Sequence, residues 1–424
     1  MKSPNSSKLM RMAVAIGALG IAATTLTGCA TGGSDDGKEQ IVVWARPQSV
    51  SDDVLAAAKK EFPDVEIKFV PSPNIDDQLR AAMRAKSGIP DVVFLGGNLT
   101  DYFEVADQFL DIDKYGFAEH HDEYLPNPLK GGQLPDGTQL AMPTDIGAWA
   151  FFYNATEFDK LGFPSDPDEV AAAFADWDAY QDFAEKAKAS GKILCDNPGQ
   201  VLNLQVQQQG YHWFTNDNGS VVNDFANPIN RASYDRAVEW AQGDLCANVS
   251  PYSPEWNAAI TQGTMIAFAG PGYEMGILRP AAEATAGQWR TAIPTGGGAM
   301  AGGSFVTAMA TTKHPETAVK LAEFFSSPST QIEAYLTKSL IPSSVAAYSD
   351  PKVTGPDDFF GGQDAFAAIA DSALNSTYVF NAPGFIAIEN DLVQALNNVA
   401  VTGADPDAEF AAVEAKYKAP YGEK

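Results

Sequence analysis

Three short β-rich runs, separated by two amphipathic helical stretches, constrain the fold of this chain more than any other feature. Gln40 to Trp44 (QIVVW) reads as a strand, because β-branched and aromatic residues suit a pleated, half-buried surface. It ends at Arg46-Pro47, and Asp52 or Asp53 then caps a helix through Lys60, with Val54, Leu55, Ala58 and Phe62 on its inner face. Val65 to Val70 is a second strand. Asp76 to Lys86 is a second helix, with Leu79, Ala82 and Met83 inward and Gly88 as its stop. Asp91 to Leu95 is a third strand, running into Gly96-Gly97-Asn98. This order implies a parallel sheet covered by crossover helices, an α/β architecture. In such sheets ligands sit beyond the carboxyl ends of the strands. Those ends are Trp44–Arg46 and Gly96–Asn98.

The rest of the chain alternates apolar segments with helices. Leu140 to Pro143 leads through Thr144-Asp145 to the aromatic run Trp149 to Asn154 (WAFFYN). Asp176 caps a helix with Trp177, Tyr180, Phe183, Ala184 and Ala187 at helical spacing, and Gly191 stops it. A further helix over Arg231 to Gly243 buries Tyr234, Ala237, Val238 and Ala241. Thr264 to Ala269 is a buried strand leading into Gly270-Pro271-Gly272-Tyr273. A glycine-rich stretch, Gly296 to Gly303, precedes Ser304 to Ala310 (SFVTAMA), and Pro315 opens a helix carrying Ala318, Leu321, Ala322 and Phe325. Trp177, Trp240, Phe324 and Phe325 belong to helices and read as packing residues.

The N-terminal region carries an address. Lys2, Lys8 and Arg11 precede an uncharged run, Met12 to Thr27, which has the character of a secretory signal peptide over residues 1–28. The apolar run is short for a membrane span, which needs roughly 20 residues. It ends in Leu26-Thr27-Gly28-Cys29, which resembles the lipobox of bacterial lipoproteins. By that resemblance Cys29 carries the lipid, and acyl chains give membrane affinity of about 0.8 kcal/mol per buried CH₂. Residues 29–39 then form a small, polar, flexible tether. Removing residues 1–28 leaves about 395 residues, more than one hydrophobic core usually holds, so two domains are expected. It also removes three basic residues and no acidic one, taking the formal charge from −26 to about −29. Phosphate binding needs clustered Lys and Arg, so nucleic acid is excluded as a partner. With Cys29 lipidated, Cys195 and Cys246 are left as a pair. Outside a cell such a pair tends to form a disulfide, the alternative being two separate buried thiols. The four histidines have no metal-ligand spacing, and no metal or cofactor is expected.

The ordered set of pieces resembles the extracellular solute-binding proteins of bacterial ABC importers, of the kind that bind sugars and oligosaccharides. The residues carrying the resemblance are Cys29, the opening strand ending in Trp44, Ile89-Pro90-Asp91-Val92-Val93, and Pro143-Thr144-Asp145 leading to Phe152-Tyr153-Asn154. To these are added Trp177-Asp178, Gln262-Gly263-Thr264-Met265 through Pro271-Gly272-Tyr273, Gly302-Gly303-Ser304, and Pro315-Glu316-Thr317-Ala318. The resemblance implies a two-lobe periplasmic-binding-protein-like fold with a hinge and a ligand cleft between the lobes. Lobe one would hold residues 39–145 and 305–342, and lobe two residues 146–304 and 343–424. Thr144–Gly147 and Gly302–Ser304 fall at the implied crossovers.

A sugar offers hydroxyls to polar side chains and C–H faces to aromatic rings. Asp145 is the first candidate to accept hydroxyls, and Tyr273 the first to stack on a ring. Trp44 ends the first strand; Trp149 and Trp213 lie in loop-like surroundings and are candidate stacking walls. Asn98 and Ser304 are candidate hydrogen-bonding groups, and Phe380, before the last long helix, faces the cleft by the same reading. The implied partners are a carbohydrate ligand, the membrane permease subunits of an importer, and the membrane itself through the lipid anchor. A monomer on the outer face of a single-membrane cell is expected. The rival readings are a binding protein for a polyamine or another non-sugar ligand, and a lipid-anchored glycoside hydrolase. The hydrolase would need paired carboxylates at one cleft. Only Asp145 is placed there, no Gly-x-Ser-x-Gly motif occurs, and no catalytic residue is assigned.

Overall fold

The computed structural model describes residues 38–424 except Gln48, 211–212, 218–219, Ala226, Phe380, 419–421 and Lys424. The signal peptide and Cys29 therefore lie outside the described residues, as does Phe380. The chain from Glu39 to Lys424 is one compact unit.

Its scaffold is a sheet of seven strands in the order β2-β1-β3-β9-β4-β7, with β8 also paired to β4. β1 (Glu39–Ala45), β2 (Val65–Pro71) and β3 (Val92–Leu95) are parallel neighbours, joined by the helices Asp52–Glu61 and Ile75–Ala85. This is the crossover arrangement expected from the sequence. The first helix is capped by Ser51, whose hydroxyl accepts from Val54 N, rather than by Asp52 or Asp53. Those two acids occupy the first turn instead, where they complement the helix dipole. β1 turns Ile41, Val43 and Ala45 inward at 0% exposure. Asp91 ties that strand's edge by accepting from Val42 N at 2.8 Å and from the Thr312 hydroxyl at 2.6 Å.

β4 (Met142–Asn154) runs antiparallel to β9 (Met300–Ala308), and both reach from one half of the sheet to the other. Between them in the chain come β5 (Phe214–Asp217) and β6 (Ser220–Asn223), then β7 (Ala267–Pro271) and β8 (Trp289–Ala292). The first part of β4 pairs with the β9 segment whose other edge meets β3; its last residues, Trp149–Asn154, pair with β7 and β8. β5, β6 and β10 (Gly422–Glu423) form a separate three-stranded sheet. β9 begins inside the glycine-rich stretch that the sequence presents as a connection. A Cβ at residue 303 would lie 2.2 Å from the Asp145 carbonyl oxygen, so a glycine there lets the two backbones approach. The β4–β9 register slips between Pro143 and Asp145 and again between Ile146 and Ala148. Such bulges bend a strand and re-aim its side chains.

The packing divides along the same line. One set of core residues comes from Ile41 to Met142, Leu125 apart, and from Phe305 to Phe325; another takes in Leu125, runs from Ile146 through Ala299 and resumes at Ile341. A third passage of chain, Ile341–Ser344, crosses beside β4, with Ile146 N donating to Ile341 O at 2.8 Å. Gln331, 1% exposed, holds this passage by accepting from Ser343 N and Ser344 N. Its amide and the hydroxyls of Ser326 and Ser343 converge on the Pro143 carbonyl. In the second core, Cys195 and Cys246 are joined as a disulfide with Cα atoms 4.5 Å apart.

Candidate functional site

Asp145 sits where β4 and β9 slip register, opposite Ser304. It is only 7% exposed. The Thr144 hydroxyl donates to its Oδ2 at 3.2 Å, and Ser304 faces it from β9. Burial pushes its carboxyl above the ordinary carboxylate range, while Ser304, Thr144 and the Arg46 charge pull the other way. Its surroundings open into a small cavity with Ser49, Thr144, Gln331, Lys338 and Leu340.

Arg46 arrives from the end of β1, and a network holds it. Asp76, in the first turn of the helix Ile75–Ala85, accepts from Arg46 Nη2 at 2.9 Å, from Asn98 Nδ2 at 2.8 Å and from the Tyr102 hydroxyl at 2.9 Å. The Arg46 guanidinium lies against the backbone of Gly96, where a Cβ would meet Nη1 at 2.8 Å. The ends of β1 and β3 are thus tied together by one carboxylate. Asp76 was not among the sequence candidates, since its helical position gives it an ordinary role in the first turn.

Across from these residues, β7 ends in a single turn, Gly272–Glu274, that carries Tyr273. Burial is the main reason its phenol is pushed up; Glu274 and Asp145 add to the effect, and the hydrogen bond with Tyr252 opposes it. The Asp145 charge thus reaches the Tyr273 phenol. Tyr252, 52% exposed and held at φ +70°, completes the wall with Tyr273. The two tyrosines border a groove of about 1090 Å³ that also meets Arg279, Lys338, Leu340 and Phe366. Lys338 and Leu340 border both this groove and the Asp145 cavity. Tyr252 lies in Ser250-Pro251-Tyr252-Ser253-Pro254, whose prolines mark a loop but not its direction.

Among the sequence candidates, Asp145, Ser304, Asn98 and Tyr273 are drawn around the meeting of strands. Asn98 has its amide engaged by Asp76. Trp44 is partly buried against the core residues Leu79, Val93 and Tyr102. Trp149 and Trp213 are each 1% exposed, so the expectation that they form open stacking walls does not match their positions. Trp149 belongs to β4 and gives its indole N–H to Gln207 Oε1 at 2.6 Å. Trp213 packs on Phe225, ring centres 5.0 Å apart, within the second core. Both are indoles taken up by packing, which loop-like sequence surroundings do not reveal. Asn381, next to Phe380, borders a cavity of about 60 Å³ with Gly97, Gly302, Gly303 and Tyr378.

The arrangement offers a buried hydrogen-bond acceptor beside one cavity, a guanidinium whose charge acts on it, and two phenol rings on the neighbouring groove. Among the described residues there is no cluster of three or more metal-ligating side chains. Nor is any described helix long and apolar enough to cross a membrane.

The chain is 21% identical over 258 residues to the arabinooligosaccharide-binding protein of Halalkalibacterium halodurans, covering 57% of this chain and 55% of that one. That match spans just over half the relative's length. It is 22% identical over 363 residues to the lactose-binding protein of Rhizobium radiobacter, covering 78% of this chain and 81% of that one. The fold superposes with a TM-score of 0.73 on the ABC transporter associated binding protein from B. animalis subsp. lactis Bl-04 in complex with beta-1,6-galactobiose. That comparison is at 23% identity and covers 89% of this chain and 96% of the other. Both sequence relatives are binding proteins, and the shared fold is the two-lobe α/β fold of periplasmic binding proteins. The profile of bacterial extracellular solute-binding proteins matches residues 53–361, through β2 to β9 and hence nearly every strand around Asp145, and the chain belongs to that family.

Proposed function

We propose that this protein captures a carbohydrate, an oligosaccharide in particular, outside the cell and delivers it to the membrane permease of an ABC importer. The observation that carries the reading is that the buried Asp145, acted on by the Arg46 charge, itself acts on Tyr273, while the Tyr252–Tyr273 pair borders a groove that shares Lys338 and Leu340 with the Asp145 cavity. A carboxylate and a guanidinium serve hydroxyls, and phenol rings serve the C–H faces of a sugar. Family membership supports delivery to a permease, and the relatives that bind arabinooligosaccharide and lactose support the ligand class.

In this reading the lobes are residues 39–145 with 305–342, and 146–304 with 343–424. The register slips around Asp145 and the Gly302–Ser304 stretch act as hinge points. Ligand favours the closed form by its differential affinity for it, and the closed form docks on the permease. The protein binds without transforming its ligand, and works as a monomer. Lipid on Cys29, with the polar tether to Glu39, keeps it at the outer face of a single-membrane cell. Fatty-acid labelling that is lost in Cys29→Ala supports the anchor, and labelling that persists refutes it.

The capture reading is tested by thermal-shift screening of mono- and oligosaccharides followed by calorimetric titration. A ligand at 100 times its dissociation constant adds about 2.7 kcal/mol of stability. Asp145→Ala and Tyr273→Ala are each expected to weaken binding more than about tenfold with the fold intact, equivalent to ~1.4 kcal/mol or more. Binding of polyamines in place of sugars would redirect the reading to a cationic ligand, and release of reducing sugar from oligosaccharides would overturn binding without chemistry.

A further inference from the structure

Behind the Tyr252–Tyr273 wall lie two acids that the binding reading does not use. Glu274 and Asp196 are each 1% exposed. Asp196 accepts from Asn197 N at 2.7 Å through Oδ1, while its Oδ2 has no hydrogen-bond partner among the described residues. The Trp256 indole lies near Asp196, yet its N–H completes no hydrogen bond. Glu274 Oε1 faces the Tyr252 hydroxyl at 3.5 Å, and Oε2 is unpartnered. The carboxyl presses on β7: a Cβ at residue 270 would sit 2.0 Å from Oε2, so glycine there makes its room.

The groups that act on this pair are few. Glu274 feels burial, then Asp196 and Tyr252; Asp196 feels burial, then Asn197 and Trp256. Tyr252 and Tyr273 feel Glu274 and each other, and Asp145 acts on Tyr273. Among the described residues no lysine or arginine acts on either acid. Two carboxylates removed from water without a counter-ion cannot both ionise cheaply, because each charge loses its hydration and repels the other. Both carboxyls are pushed well up by burial, Glu274 further by its acidic neighbour.

Resting on the carbohydrate-binding reading, we infer that Glu274 is a positioning residue for the ligand-facing aromatics: its buried, un-ionised carboxyl accepts from the Tyr252 hydroxyl and so sets the tyrosine wall. Tyr252 in turn borders the same groove as Tyr273, and the two phenols act on each other. Ionisation at higher pH places an uncompensated charge behind the wall, draws water towards it and loosens the anchor. A carboxyl raised in the folded state contributes stability below the ordinary carboxylate range and loses it as pH rises through the raised value. Ligand affinity therefore falls with rising pH.

The test uses the full soluble chain and the oligosaccharide selected by the screen, with Glu274→Gln as the permanently neutral mimic and Glu274→Ala as the unanchored form. Glu274→Gln is expected to keep the affinity and lose its pH dependence; Glu274→Ala is expected to bind about tenfold more weakly, with the same Tm at low pH as a check on folding. Two readouts need no ligand. An infrared band of an un-ionised carboxylic acid near pH 7 is expected in the wild type and reduced in Glu274→Gln. Hydrogen exchange over residues 250–253 is expected to be slow in wild type and Glu274→Gln, and fast in Glu274→Ala. Absence of the infrared band, unchanged exchange in Glu274→Ala, or a pH slope retained by Glu274→Gln each overturns the inference, whether or not a sugar binds. If the band and exchange behave as expected but no carbohydrate binds, the positioning stands and the ligand class falls.

Discussion

Asp145 combines two opposed demands. A buried carboxylate is costly, and its hydrogen bonds from Thr144 and Ser304 offset only part of that cost, so its proton affinity is raised. A ligand hydroxyl donating to the free lone pairs would restore what burial removes. The ligand-free protein should show the penalty. With a raised folded value, the proton is held more tightly in the native state than in the unfolded one, and stability falls as pH rises through that interval. Asp145→Asn removes this contribution. The stability of Asp145→Asn relative to wild type should therefore improve as pH rises above the ordinary carboxylate range, as read by urea unfolding over a pH series. An unchanged difference would mean that the site is better solvated than its 7% exposure implies.

Two strands and one passage of chain carry the connection between the halves of the sheet. β4 and β9 approach so closely at Gly303 that an added methyl group would strike the Asp145 carbonyl. Gly303→Ala is expected to destabilise by about 1–3 kcal/mol, the usual range for overpacking, and to displace Asp145 with it. Chemical denaturation and ligand titration on the same variant would read both effects; equal stability and equal affinity would show that the strands can separate freely. The disulfide is a different kind of constraint. Cys195 and Cys246 are 51 residues apart, and closing a loop of that size restricts the unfolded chain by roughly 4 kcal/mol in the loop-entropy model. The Cys195→Ser, Cys246→Ser double variant should unfold at lower denaturant with a similar slope, as read by urea unfolding.

Over the whole molecule the dominant physical quantity is charge. The formal net charge is −26 over 424 residues, so the protein attracts cations at long range whatever its cleft prefers. Exposed charges are screened beyond about 10 Å at 0.1 M salt. A neutral carbohydrate should therefore bind with an affinity that changes less than about twofold between low and high salt. A steep fall in affinity with salt would identify a cationic ligand drawn by the acidic surface. The measurement is a calorimetric titration repeated across ionic strengths, and it separates the two ligand classes without a structure of the complex.

Local interactions made much of this protein readable in one dimension. The β-α-β-α-β opening, the cap that Asp176 gives to Ala179 N and the helix beginning at Pro315 follow from residues within a few positions of one another. So does the family, because its signature lies in the order of such pieces. Tertiary structure alone decided burial and partnership. It took Trp149 and Trp213 into cores, joined Arg46, Asn98 and Tyr102 through Asp76, and set Glu274 beside Asp196, 78 positions apart in the chain. A residue's spacing pattern reports the element it belongs to. Whether an indole meets water or a second carboxylate depends on which distant segment packs over it, and that is settled only when the sheet closes around β4 and β9.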